Sequence, residues 1–446
     1  MGSRRSDFSR HCVSMRAISD ARLLAFEVLV DVELNGAYSN LLLPKFLAKS
    51  TLSKVDRAFA SELVYGTLRL KGRHDLYIAE VSSRPLSEID EKVLIVLRLG
   101  VHQLKEMRVP THAALNETVE LAKKVAGKST SGFVNAILRS IDGMSDENIP
   151  LPNESQARLS AQYSHPEWIV SSYFDSLKDE AQVEELLQAN NLPARPTLIA
   201  WPGRSTQSEL VENGAIQLPG SSVAVTYEGD PRDLAAVRER RAGVQDLGSQ
   251  IVVEKFLATF EENLRWLDLC AGPGGKAAYL ASYLNVHGGT LVANEVSSER
   301  AKLVSQVVGG STVLNYDGRK FPDDIEKFDR ILLDAPCTGI GALRRRPEVR
   351  WRRTLQDLKN LTVLQAELLA SASSLLKDGG ILAYVTCSSH QAETKFQIRN
   401  FLKNFPDFHR IPVSDRRADS DGDLQLWPHR DNCDAMFLSM LEKGRG

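Results

Sequence analysis

From about Gly243 onward the chain alternates short apolar runs with amphipathic segments. LRWLDL precedes a helical stretch from Gly275 and GTLVAN precedes one from Ser298; STVLN, FDRILLD, a long helical segment over residues 354–376 and GILAYVT follow. No other feature restricts the fold as strongly. Strands separated by helices need right-handed crossovers, so they run mostly parallel in one sheet, and ligands gather at the strands' carboxyl ends. An α/β domain of doubly wound type is expected over residues 241–446, with its chemistry at that edge.

The rest of the chain reads differently. Residues 17–145 carry apolar side chains at three- and four-residue steps (Leu23, Leu24, Phe26, Val28, Leu29; then Ala58, Leu63, Val64, Leu68), which predicts an all-helical domain behind a tail of residues 1–16. The polar, proline-containing stretch DGMSDENIPLPNESQ marks a boundary near residue 150. Residues 150–240 begin helically and continue through β-like runs at 196–200 and 222–227, a small α+β linker domain. Charge is unevenly divided: residues 1–140 hold 21 Lys and Arg against 15 Asp and Glu, and residues 141–240 hold 7 against 16. The basic N-terminal third is therefore the part suited to a polyanion. With 43% hydrophobic and 25% charged residues the chain is a globular one rather than a disordered one. No run approaches the roughly 18 apolar residues of a membrane span, and no apolar segment follows the charged N-terminus, so a cytoplasmic protein with no membrane partner is expected. The five cysteines are odd in number and include no CxxC pair, so neither a disulfide framework nor a metal site is expected and any cysteine that matters works as a thiol.

The first strand of the α/β region runs directly into Cys270-Ala271-Gly272-Pro273-Gly274-Gly275-Lys276 and then a helix. Glycines there let backbone approach a nucleotide-like ligand, and the helix start offers unpaired N–H groups. A phosphate-binding Walker loop is excluded, because Cys270 stands where its first glycine should be and Ala277 where its hydroxyl should be. Glu295, twenty residues after Gly275 at the end of the next strand, is placed to accept hydrogen bonds from ribose hydroxyls. A dinucleotide and S-adenosylmethionine would both use such a carboxylate.

Two more strand ends favour the methyl donor. FDRILLD ends in Asp334-Ala335-Pro336-Cys337, and GILAYVT ends in Thr386-Cys387-Ser388, which brings two thiols to the ligand edge. Two thiols and a carboxylate beside a methyl donor suit methylation of a pyrimidine carbon. Carbon 5 of cytosine is a poor nucleophile until a thiolate adds to carbon 6, a carboxyl group at the N3 edge stabilises the adduct, and a base must then remove the carbon-5 proton.

LDLCAGPGGKAA, LLDAPCTGIGALRRRPEVRW, AYVTCSS and YSHPEWIV resemble the RNA 5-cytosine methyltransferases, specifically the bacterial Sun/Fmu type that acts on 16S ribosomal RNA. VDRAFASELVYGTLR, VPTHAALNETVELAKK and GFVNAILR resemble the NusB-like helical domain of that type, and the resemblance covers nearly the whole chain. It implies a Rossmann-like class I methyltransferase domain that uses S-adenosylmethionine. It also implies that Cys387 is the nucleophile, Cys337 assists product release, and Asp334 sits between cofactor and cytosine. Cys270 to Lys276 would line the cofactor, Glu295 would take the ribose and Asp317 would lie near the adenine. The chain departs from the family after Ser388, where the usual acidic-Asn stretch is replaced by His390-Gln391-Ala392-Glu393-Thr394, leaving Glu393 without a role. It departs again in the linker domain, where Arg195-Pro196-Thr197-Leu198 replaces an Arg-x-Asn pattern.

Between the cysteine motifs, Arg344-Arg345-Arg346-Pro347-Glu348-Val349-Arg350-Trp351-Arg352-Arg353 packs six arginines and one tryptophan into ten residues. Guanidinium forks bind phosphate and indole stacks on bases, so Arg344, Arg345, Arg346, Arg350 and Trp351 are candidate RNA contacts. A monomer acting on 16S ribosomal RNA is the expectation. The alternatives are a transfer RNA substrate and an RNA-binding assembly factor whose methyltransferase domain is vestigial. A DNA cytosine methyltransferase would use the Pro-Cys thiol as nucleophile and would need a target-recognition domain, for which no segment stands out.

Overall fold

The computed structural model of the protein describes residues 20–445, so the expected tail with Cys12 lies outside the described residues. The chain divides into two compact units: residues up to Glu167 together with Arg345–Glu348, and Trp168–Arg344 together with the residues from Val349 on. Among the described residues no helix is long and apolar enough to cross a membrane.

The first unit is helical, as its three- and four-residue periodicity requires. Helix Glu91–Lys105 buries Val93, Ile95, Val96, Leu97, Leu99 and Val101, so it is apolar around most of its circumference and forms the centre of the unit. Helices Ala21–Leu34, Lys54–Arg69, Thr111–Ala126 and Ser131–Asp142 add Leu24, Val28, Leu63, Val64, Leu121 and Leu138 to the same core. Asp20, Ser53 and Asp90 cap three of these helices by accepting from backbone N–H groups of the first turn. Helix Ser155–Tyr163 also belongs here, and the Gly72 N–H donates to the Ser164 hydroxyl just beyond it (2.8 Å). The unit therefore continues past the polar stretch near residue 150.

The second unit holds two sheets. Strands β1 (Thr197–Ala200), β2 (Ile216–Gln217), β3 (Ala224–Thr226) and β4 (Ala242–Val244) form a small antiparallel sheet in the order β2-β3-β1-β4 over Leu198, Ala200, Leu210, Val225 and Ala242. The large sheet contains β5 (Arg265–Asp268), β6 (Thr290–Asn294), β7 (Thr312–Leu314), β8 (Phe328–Asp334), β9 (Leu376–Thr386), β10 (Phe408–Ile411) and β12 (Phe437–Lys443), with β11 (Leu424–Gln425) paired to β12. Its order is β10-β12-β9-β8-β5-β6-β7. The five strands from β9 to β7 are parallel, while β12 lies antiparallel between β9 and β10. Trp266, Ala293, Leu332 and Ala383 face one side of the sheet, and Leu267, Val292, Ile331 and Leu382 face the other, each side covered by helices.

Chain order explains where a ligand fits. After β5 the chain builds β6 and β7 on one side, then crosses back to lay β8 and β9 on the other. Connections leaving β5 and β8 in opposite directions open a crevice at their carboxyl ends, the switch point at which α/β sheets bind ligands.

Candidate active site

At the end of β5, Asp268 is 0% exposed and neither of its oxygens has a well-formed hydrogen-bond partner among the described residues. Burial, reinforced by the charge of Asp334, pushes its pKa up to about 8, and Lys276 and the Cys270 backbone N–H relieve only part of the cost. Glu295, 3% exposed, follows the end of β6. One of its oxygens accepts from the Gly272 N–H (3.0 Å) and the other from the Ser297 N–H (2.9 Å). A Cβ at Gly272 would collide with that carboxylate, so glycine is what lets the loop close on Glu295. Arg300 stands 3.5 Å from Glu295 and donates to the Gly272 carbonyl. Asn294 joins neighbouring strand ends: its amide donates to the carbonyls of Leu269 and Tyr316 (both 3.1 Å) and its oxygen accepts from the Tyr316 N–H (3.0 Å).

Lys276, in the first turn of helix Gly275–His287, reaches across the crevice to Asp334 at the end of β8 (2.7 Å). Burial disfavours the ammonium, but Asp334, Cys387 and Asp268 outweigh it and raise the Lys276 pKa. Lys276 is therefore a fixed positive charge within the field of Cys387. The two strand-end thiols are in contact, with Cys337 Sγ 3.4 Å from Cys387 Sγ. The hydrogen bond to Cys387, together with burial and the Cys387 charge, pushes the Cys337 thiol well above its ordinary range. Cys337 therefore holds its proton across the ordinary pH range. Cys270 is a different case: burial and the charges of Asp268 and Asp334 raise its thiol too.

Asp317 lies in the turn after β7, bound by Arg319 through bonds of 2.9 and 2.7 Å, and this partner lowers its pKa to about 2. The arginine cluster is not the exposed phosphate fork that its composition suggests. Arg350 is 0% exposed and donates to the Asn191 side chain (2.9 Å) and the Asn190 carbonyl (3.3 Å). Arg344 is buried and donates to Asn432 (3.0 Å), and Arg346 lies over the Tyr38 ring within the helical unit. Arg345 and Trp351 are half-buried, with the Trp351 Nε1 turned inward. Arg344 and Arg350 are corrected from RNA contacts to structural cations, because both are buried and donate to amide and carbonyl oxygens of the protein. Asp419, Asp421 and Asp423 also lie close together, but Lys395, Arg399 and Arg410 pair with them and no metal reading follows.

Sequence reasoning missed Asp268, Asn294, Arg300 and Glu393. Asp268 and Asn294 end strands and so had a positional signal; Arg300 and Glu393 stand within helical turns and had none.

A glycine-rich loop at the switch point of this sheet, flanked by buried carboxylates, is the site of a Rossmann-like nucleotide-binding fold, and comparison with known proteins places it among the methyltransferases. The NusB family matches residues 19–142, and the family described as 16S rRNA methyltransferase RsmB/F matches residues 255–442. The chain is 40% identical to a putative methyltransferase of Mycobacterium tuberculosis over 96% of this chain and 97% of that one. It is 31% identical to the probable ribosomal RNA small subunit methyltransferase B of Bacillus subtilis, over 96% and 99%. Among solved structures, that of PH0851 superposes with a TM-score of 0.81 at 23% identity, over 96% of this chain and 100% of that one. The chain belongs to the RsmB/F methyltransferase family and carries a NusB-family domain at its N-terminal side.

Two outcomes follow. Glu295→Ala should weaken S-adenosylhomocysteine binding by about 1.5–3 kcal/mol, the range for hydrogen bonds to a charged group, with the fold intact; isothermal calorimetry reads this directly. Asp268 binds its proton more tightly folded than unfolded, so it stabilises the ligand-free protein fully below its ordinary pKa of 3.8 and loses that contribution as pH rises towards about 8. Asp268→Asn should therefore flatten the decline of melting temperature across that window.

Proposed function

We propose that the protein transfers a methyl group from S-adenosylmethionine to carbon 5 of a cytosine in 16S ribosomal RNA, through an adduct between Cys387 and carbon 6. The observation that carries this reading is the pair of sulfurs 3.4 Å apart at adjacent strand ends, with Lys276 in the field of Cys387.

S-adenosylmethionine supplies an electrophilic methyl group on a sulfonium cation. The donor set fits it: a cation beside Asp268 would offset the burial of that carboxyl group, Glu295 would take the ribose hydroxyls, Cys270 to Lys276 would line the cofactor, and Asp317 would lie near the adenine. Asp334, held by Lys276, stands at the end of β8, where it can meet the N3 edge of the cytosine.

The thiols then divide the work. Cys387, facing the Lys276 charge, adds to carbon 6 as the thiolate and makes carbon 5 nucleophilic enough to take the methyl group. Once its sulfur is bound to carbon, Cys387 no longer acts as the charged neighbour that holds the proton on Cys337. The Cys337 thiol, now more acidic, gives its proton to solvent, and its thiolate is the base that takes the carbon-5 proton. Removal of the carbon-5 proton restores the double bond and expels Cys387 as thiolate.

Labelled S-adenosylmethionine and 16S RNA test the assignment, with bisulfite sequencing locating the product. Cys387→Ala should abolish both methyl transfer and adduct. Cys337→Ala should still attack and methylate, then stall as a protein–RNA complex that survives denaturing electrophoresis. Accumulation of adduct in Cys387→Ala and its absence from Cys337→Ala would reverse the two roles.

A further inference from the structure

Glu393 is a buried carboxylate with no place in the chemistry above. It is 0% exposed and ends a short helical turn, Gln391–Glu393, a few residues beyond Cys387. Its four hydrogen-bond donors lie around the two cysteines. Oε1 accepts from the Thr338 N–H (2.8 Å) and from Gln365 Nε2 (3.1 Å); Oε2 accepts from the Thr338 hydroxyl and from the Ser388 hydroxyl (2.7 Å). Thr338 directly follows Cys337 and Ser388 directly follows Cys387. Gln365 also donates to the carbonyl of Pro336, the residue before Cys337 (2.9 Å). One carboxylate therefore bonds both cysteine loops, and its four acceptor positions are filled.

None of those four donors is charged. Burying a carboxylate among neutral donors is costly, and an apolar contact would fill the same space at lower cost. What this arrangement supplies is geometry. We infer that Glu393 is a positioning residue: it fixes the separation of the two thiols by gripping the residue that follows each of them. The surrounding bonds agree with this. The Tyr384 hydroxyl on β9 donates to the Glu393 carbonyl (2.9 Å), which ties the carboxylate's own backbone to the strand that carries Cys387. The Gly341 N–H donates to the Cys387 carbonyl (3.0 Å), and a Cβ at Gly341 would run into that same peptide, so the Pro-Cys loop closes on the Thr-Cys-Ser loop from the other side as well. The hydroxyls of Pro-Cys-Thr and Thr-Cys-Ser thus have one common acceptor.

The inference rests on the two-thiol reading and is tested against it. Wild type, E393A, E393Q, T338V and S388A are compared for kcat and KM in methyl transfer to 16S RNA, for S-adenosylhomocysteine affinity and for melting temperature. E393A should lose about 100-fold in kcat, the scale of a 1 Å misplacement, while cofactor affinity and the KM for RNA stay within a few-fold. E393Q should recover most of that loss, because its amide oxygen keeps the Thr338 and Gln365 donors and its NH₂ can donate to the two hydroxyls. T338V and S388A, which keep the carboxylate, should each lower kcat with cofactor affinity retained, and they carry the test if E393A does not fold. An E393A enzyme with wild-type kcat, an E393Q enzyme no better than a folded E393A, or full activity in both hydroxyl variants overturns the inference. Failure of wild type to methylate cytosine defeats the functional reading itself, a result distinct from all of these.

Discussion

The parallel pairing of β8 with β9 is the contact on which the site depends. Leu333 stands opposite Tyr384 and Asp334 opposite Val385, and the Ala335 N–H donates to the Val385 carbonyl (2.8 Å) before the chains turn away. Cys337 and Cys387 follow within three residues, so their contact comes directly from this register. A slip of one residue would move one sulfur by about 3.3 Å and invert the faces of its strand. The apolar layers on both sides, Leu332 and Ala383 on one and Ile331 and Leu382 on the other, prevent that slip.

Charge in the crevice would be unbalanced towards the negative if Asp268 ionised. Asp268, Glu295 and Asp334 end or follow three neighbouring strands, and the cations answering them are Lys276, bonded to Asp334, and Arg300, beside Glu295. Burial first, and the charge of Asp334 second, raise the Asp268 pKa to about 8, so that it keeps its proton. A crevice of this kind favours a ligand that brings its own positive charge, and a sulfonium does so at the atom from which the methyl group leaves. The same field reaches the thiols: the Cys387 charge helps raise Lys276, and the hydrogen bond to Cys387, burial and that charge together raise Cys337.

Much of this was legible in the sequence because it is written in local pattern. Strand–helix alternation marks β5 to β9, glycines mark the turn after β5, and residues at strand ends, Asp334, Cys337 and Cys387, fall on the ligand edge by topology alone. What was not legible depends on tertiary neighbours. Six arginines in ten residues read as a surface, yet Arg350 packs against Asn190 and Asn191, some 160 positions away in the chain. Glu348, in the same stretch, accepts from the backbone and hydroxyl of Ser39 (3.0 and 2.8 Å), again a contact that no local spacing announces. Glu393 gave no signal because its partners lie on three separate segments. The antiparallel strands β10 and β12 escaped because they interrupt the alternation that revealed the others.

The central claim, that the two touching thiols differ in protonation and that Cys387 is the one to ionise, is tested most directly by the pH dependence of alkylation. Ligand-free protein is treated briefly with iodoacetamide across a pH series, and singly modified molecules are assigned by peptide mass spectrometry, so that each thiol is read while its neighbour is intact. The expected result is modification of Cys387 first, with Cys337 reacting only above the ordinary thiol value of about 8.5. Modification of Cys337 first, on a profile below that of Cys387, would contradict the assignment.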